Sequence, residues 1–170
     1  MEAQDWSAIE SACLGGGLPP AAEEQIRLAG QSYQQAEAAE RHLRLAQELA
    51  PDHLAVMIGF YRYYFYKSRL EEALDVAQRC LAQAGGALGL NPDWRGVRCG
   101  DADFGRFDAI LPRFYLFTLK GYGYLNLRLG RLDQGRRAVQ KLRELDPADR
   151  LGGSVLDGVL QRMGRGDDDE

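Results

Sequence analysis

The stretch LAVMIGFYRYYFYKSRLEEALDVAQRCL, residues 54–81, decides the fold. Its first half, with Met57, Ile58, Phe60, Tyr61, Tyr63, Tyr64, Phe65 and Tyr66, is almost unbroken apolar and aromatic, so composition alone would allow a buried strand. The second half argues against a strand. Leu70, Ala73, Leu74, Ala77, Cys80 and Leu81 recur at helical spacing, which predicts a helix with one apolar face directly after a short turn at Ser68. Two helices joined by so short a turn form a hairpin. The first is apolar nearly all round and must be covered on several sides, so the flanking sequence has to supply neighbours.

It does so in both directions. Upstream, Ala36, Ala39, Leu43, Ala46, Leu49 and Ala50 share a helix face that Pro51 ends. Before it a helix is expected from Ala21 to about Gly30, following a break at Gly15-Gly16-Gly17 and Pro19-Pro20. A short lead-in helix, with Asp5 as N-cap, carries Trp6, Ile9, Cys13 and Leu14. Downstream, residues 88–113 form an insert with turn signals at Asn91-Pro92-Asp93, Gly96, Gly100 and Pro112, and with a helical turn expected from Asp101 to Phe107. Trp94, Val97, Phe104, Phe107, Ile110 and Leu111 give it more apolar material than a disordered spacer carries. Another hairpin follows. A last helix then sets Leu151, Val155, Leu156, Val159, Leu160 and Met163 on one face, with Gly164 as its stop. The domain reading is a linker region at 1–20, one helical domain at 21–163 and an acidic tail at 164–170.

Apolar and charged fractions of 45% and 27% are those of an ordinary globular chain, and no apolar run is long enough to span a bilayer. Met1-Glu2-Ala3-Gln4-Asp5 is acidic and leads into no signal-type apolar core, so a cytoplasmic location is expected. Cys13, Cys80 and Cys99 are odd in number and widely scattered, which fits reduced thiols. The oligomeric state is not written in the sequence.

A catalytic constellation is missing. His42 and His53 have no partner at recognisable spacing, and there is no HExxH, GxSxG or phosphate-loop pattern. No cofactor and no metal are implied. The alternative reading is a small enzyme or redox protein using Cys99, Asp101 and Asp103 in the insert.

Charge is unevenly spread. Residues 1–85 hold 7 basic and 12 acidic side chains, residues 86–150 hold 12 and 8, and the last twenty hold 2 and 5. The basic region includes Arg95, Arg98, Arg106, Arg113, Lys120, Arg128 and Lys141, and it would attract an acidic protein surface. Nucleic acid is not expected, because the whole chain is acidic and these residues follow no reading motif.

Ala39 and Ala73, Leu43 and Ala77, and Ala46 and Cys80 are each 34 residues apart. Met57, Phe60-Tyr61, Tyr64, Ala73 and Ala77 fit one repeat, as do Leu119, Tyr122-Gly123, Asn126, Gly130, Leu132, Gly135, Val139, Leu142 and Pro147. The chain resembles the tetratricopeptide repeat family on these residues. The resemblance implies an all-α stack of about three helical hairpins, with an insert before the third and a capping helix at the end. In the family the leading helices line a groove that binds protein. By position this groove would use Ile58, Arg62, Phe65 and Tyr66 from one unit and Lys120, Tyr124, Leu127 and Arg128 from the next. Arg62 and Tyr124 stand where the family's carboxylate clamp has asparagines. Trp94, Arg95 and Arg98 in the insert would add an anchor, and Tyr61, replacing a small residue, should spread its hairpin or force its ring outward between units. The aromatic helix and the Trp-Arg insert also resemble small tetratricopeptide proteins that accompany bacterial nitrogen fixation. The expected function is a non-catalytic, chaperone-like accessory factor for protein–protein interaction, docking onto nitrogenase or its assembly and protection intermediates.

Overall fold

A computed structural model describes residues 16–106 and 108–166, among them seven α-helices and no strand. They are α1 (Pro20–Gln31), α2 (Ala36–Leu49), α3 (Leu54–Tyr66), α4 (Leu70–Ala87), α5 (Ile110–Arg128), α6 (Leu132–Leu145) and α7 (Gly153–Gly166). The chain is all-α, with helical hairpins in series and a closing helix, as the periodicity predicts. The lead-in helix, Phe107 and residues 167–170 lie outside the described residues. Packing divides the chain into two compact units, the first ending at Val76 and the second beginning at Ala77, so the boundary falls inside α4.

In the first unit α1 and α2 pair, and α3 lies against both. Ala22, Ile26 and Ala29 of α1 and Ala39, Leu43 and Ala46 of α2 are buried, each large apolar side chain contributing about 1.5–3 kcal/mol. Gly59 sets the spacing. A Cβ there would stand 2.9 Å from Leu43 Cδ2, so α3 approaches α2 where it has no side chain.

His53 does have partners. Its Nδ1 accepts the Ala55 N–H at 3.1 Å, which caps α3, and its Nε2–H donates to the Gly16 carbonyl at 2.7 Å. His53→Ala should cost about 1 kcal/mol, as for other lost N-caps, with the helical spectrum unchanged. An unaltered denaturation midpoint would show that the cap contributes nothing.

Two hairpin turns share one construction. After α3, Lys67 N–H bonds to Tyr63 O and Arg69 N–H to Tyr64 O, around Ser68 at φ 57°. After α5, Leu129 N–H bonds to Leu125 O and Arg131 N–H to Asn126 O, around Gly130 at φ 77°. Both use the left-handed residue that ends a helix and lets the next begin at once.

In the second unit α5 pairs with α6, and α7 packs on both. A Cβ on Gly123 would lie 3.3 Å from Ala138 Cβ, and one on Gly135 would lie 2.5 Å from Leu127 Cδ2, so the two axes approach at paired glycines. Leu156 and Leu160 of α7 are buried against this hairpin, but Val155 and Met163 are exposed. Gly164 does not stop α7, which runs on to Gly166.

The insert is shorter than expected, because α5 already begins at Ile110 and takes Pro112 into its first turn. Its helical turns are 3-10 turns at Trp94–Gly96 and Cys99–Asp101, and no helix occupies 102–106. Val97 and Phe104 are buried, and Lys141 Nζ donates to the Val97 carbonyl at 2.8 Å. Lys141, one of the basic residues expected to attract an acidic surface, instead ties the insert to α6.

Candidate docking surface

The groove residues expected in the first unit divide by burial. Ile58 is only 1% exposed and belongs to the core, so it is removed from the docking set. Arg62 and Phe65 are half-buried. The Phe65 ring stacks on Tyr61 at 6.2 Å, and Tyr61 itself is covered, at 4% exposed. Tyr66 is exposed, with Tyr33 5.3 Å away and the Lys67 ammonium 5.7 Å from its ring. Beside them Glu40 accepts hydrogen bonds from Arg69, from Arg44 at 3.1 Å and from the Tyr63 hydroxyl at 3.2 Å. Burial pushes the Glu40 carboxyl up, but Arg69, Tyr63 and Arg44 outweigh it and hold the group below the usual carboxylate range.

In the second unit Lys120, Tyr124 and Arg128 recur every fourth residue on α5 and so share a face. Lys120 and Tyr124 are half-buried and Arg128 is exposed, donating from Nη1 to the Tyr124 hydroxyl at 2.9 Å. Leu127 lies elsewhere, 3% exposed among Val139, Leu156 and Leu160, so it too is a core residue. Trp94 is half-buried with its ring edge-on to Tyr122 at 5.7 Å, which makes it more a fastener of the insert than an open anchor. Arg95 is exposed and gripped by both oxygens of Asp93. That hydrogen-bonded guanidinium keeps the Asp93 carboxyl below its ordinary range.

Arg98 and Cys99 are exposed, and Cys80 is buried. The Asp101 carboxylate accepts the Arg98 backbone N–H at 2.8 Å and so closes its own turn. Among the described residues no group of His, Cys, Asp and Glu could hold a metal ion, and no helix is long and apolar enough to cross a membrane.

Sequence reasoning missed one convergence. Phe104 and Arg106 from the insert, Arg113 and Leu116 from α5, and Asp146, Arg150 and Leu151 after α6 line a recess. Arg150 Nη1 donates to the Gly105 carbonyl at 3.1 Å, a second tie on the insert. The arginines are 7 and 37 residues apart in sequence, and no local spacing announces them. What the surface offers is positive charge, mostly guanidinium, on a framework held by backbone hydrogen bonds. That suits recognition of acidic groups.

Fold and surface define an all-α helical-hairpin protein. No protein-family model and no solved structure matches the chain. Over 123 residues it is 46% identical to the uncharacterized 19.8 kDa protein in the nifW 5′ region of Azotobacter chroococcum mcd 1, covering 72% of this chain and 69% of that one. The chain belongs to the family of that protein.

Proposed function

We propose that the chain is a non-catalytic accessory factor of nitrogen fixation. It docks in the cytoplasm onto a larger protein with an acidic surface, namely nitrogenase or an intermediate in its assembly or protection. The observation that carries this reading is the relative's description, which places it beside a nif gene. Two features support the mode of action. Helical hairpins provide rigid faces for protein binding. Basic side chains outnumber acidic ones 12 to 8 over residues 86–150, although the whole chain has a net charge of −4.

The exposed charges Arg95, Arg98 and Arg128, with half-buried Lys120 and Tyr124, form the docking surface of the second unit. Tyr66, Phe65 and Arg62 are the corresponding residues of the first. Tyrosine and arginine are what interface hot spots favour. The test is a pull-down from nitrogen-fixing cells, comparing wild type with the triple variant Arg95→Glu, Arg98→Glu, Arg128→Glu. Wild type should retrieve nitrogenase components and the variant far less, at an equal unfolding midpoint. Equal retrieval would remove these arginines from the interface. Nitrogenase absent from both would end the nitrogen-fixation reading.

A further inference from the structure

We propose that the face formed by α5 and α7 in the second unit receives an amphipathic helix of the partner protein, with aliphatic side chains along its buried side and Asp or Glu along the adjoining edge. The inference rests on the docking reading above and names the element and the chemistry that this face would take.

The apolar half comes from α7. Its Asp157 is bonded to Arg143 of α6, and Gly153 stands against Leu142 and Arg143, so that flank of α7 meets α6. Val155, Val159 and Met163 recur every fourth residue and turn away from it, Val155 66% and Met163 40% exposed and Val159 half-buried. Leu156 and Leu160 are buried against Leu127 of α5. An aliphatic row thus continues outward from the core along the uncovered flank of the closing helix.

The charged half comes from α5. Lys120, Tyr124 and Arg128 repeat at the same interval, and Tyr124 packs on the cluster that holds Leu156 and Leu160. The Lys120 ammonium stands just before α7, 3.6 Å from where a Cβ on Gly152 would lie. Arg128 donates to the Tyr124 hydroxyl at 2.9 Å and lies 5.7 Å from its ring, which orders the row from within. The sequence of α5 contains no acidic residue. On the α7 side, Asp157 is engaged by Arg143, and Asp149 accepts the Ser154 N–H at 3.1 Å. Lys120, Arg128 and the exposed Arg162 therefore give the aliphatic row a cationic border.

These features select the occupant. Each row runs about 12 Å along its helix, a little over two turns, so apolar anchors at i, i+4 and i+7 of one incoming helix can follow it. Aliphatic contact supplies affinity, while the cations favour an acidic edge and reject a basic one. A second copy of the chain fits less well, because a twofold contact would set the same cations against each other. The chain's own closing Asp167-Asp168-Asp169-Glu170 has the charge but no apolar side chain to cover Val155 and Met163.

The experiment measures binding of a fluorescein-labelled helical peptide of Leu, Ala and Glu, with leucines at i, i+4, i+7 and i+11, to the full chain at physiological ionic strength. A peptide with the same leucines but Lys for Glu should bind about tenfold more weakly. Lys120→Glu with Arg128→Glu should reverse that preference, and Arg128→Glu alone serves if the pair loses its helical spectrum. Val155→Ser with Met163→Ser removes exposed apolar surface and should weaken the acidic peptide about tenfold at an unchanged unfolding midpoint. Arg136→Glu with Arg137→Glu changes exposed charge on α6 and should alter affinity less than about twofold.

Equal affinity for the two peptides, binding indifferent to the serine pair, or no binding by wild type would overturn the proposal. So would a dimer that the serine pair converts to monomer, or binding about tenfold tighter once residues 167–170 are removed, since a second copy or the chain's own end would then be the occupant. A chain that binds the acidic peptide through this face but retrieves no nitrogenase component keeps the helix site and loses the partner proposed above. Nitrogenase retrieved equally by wild type and the serine pair keeps the partner and loses the helix site.

Discussion

Tyr63→Ala should lower the unfolding free energy by about 3–5 kcal/mol, the range for truncating a large buried aromatic. Tyr63 is fully buried, edge-on to Tyr33 at 5.9 Å and tilted against Tyr64 at 5.7 Å. Its hydroxyl donates to Glu40, and burial followed by the Glu40 charge raises its phenol above the ordinary range. Truncation would thus empty the space between α2 and α3 and take a donor from a half-buried carboxylate. Neighbouring Tyr64 is half-exposed with the Arg69 guanidinium over its ring at 4.8 Å, so Tyr64→Ala should cost clearly less.

Tyr63→Phe separates the two contributions. It keeps the ring and removes the hydrogen bond, for about 1 kcal/mol near neutral pH. Because the Glu40 carboxyl is held below its unfolded value, the stability it contributes is present above the unfolded pKa and is lost as pH falls through the lowered one. The stability difference between wild type and the Tyr63→Phe variant should shrink over the same fall in pH. Denaturant unfolding at several pH values measures all of this. A Tyr63→Ala midpoint no lower than that of Tyr64→Ala would contradict the packing described for the first unit.

Gly123→Leu is the counterpart in the second unit, with an expected cost of about 1–3 kcal/mol from overpacking. The atoms it would meet give little room: Ala138 Cβ at 3.3 Å, Val139 Cγ2 at 3.5 Å and the Gly135 carbonyl oxygen at 3.7 Å from an added Cβ. Helix propensity acts in the opposite sense, since replacing a mid-helix glycine recovers up to about 1 kcal/mol. Gly123→Ala should therefore stay close to wild type while Gly123→Leu falls. If the leucine chain were as stable as wild type, α5 and α6 could not approach as closely as described.

These two sites show what was legible in the sequence. Gly123 and Gly135 could be read, because paired small residues on consecutive helices have one packing use and the repeat pattern puts them together. Tyr63 could not be told from Tyr64. The helix from Leu54 is apolar all round, so periodicity names no inner face, and matching the repeat pattern selected Tyr64. The same ambiguity put Ile58 and Leu127 in a groove when both are core. On α7 the apolar face was drawn too wide: Leu156 and Leu160 pack inward, while Val155 and Met163 do not.

Other features leave no local trace. His53 is not a residue type that signals a helix cap, and its second partner, Gly16, is 37 residues away. Lys141 and Arg150 read as surface charge until the fold brings Val97 and Gly105 to them. The recess depends on three elements meeting, which spacing along the chain cannot show.

Direct binding to purified nitrogenase components, measured by a surface sensor from low to physiological and then high salt, tests the docking account most directly. The account predicts a complex that forms at low ionic strength and weakens steadily with salt, since exposed charge attraction is screened beyond about 8 Å at physiological ionic strength. Arg95→Glu with Arg98→Glu and Arg128→Glu should weaken it further. No complex with any component at low salt, or one indifferent to both salt and charge reversal, would contradict it.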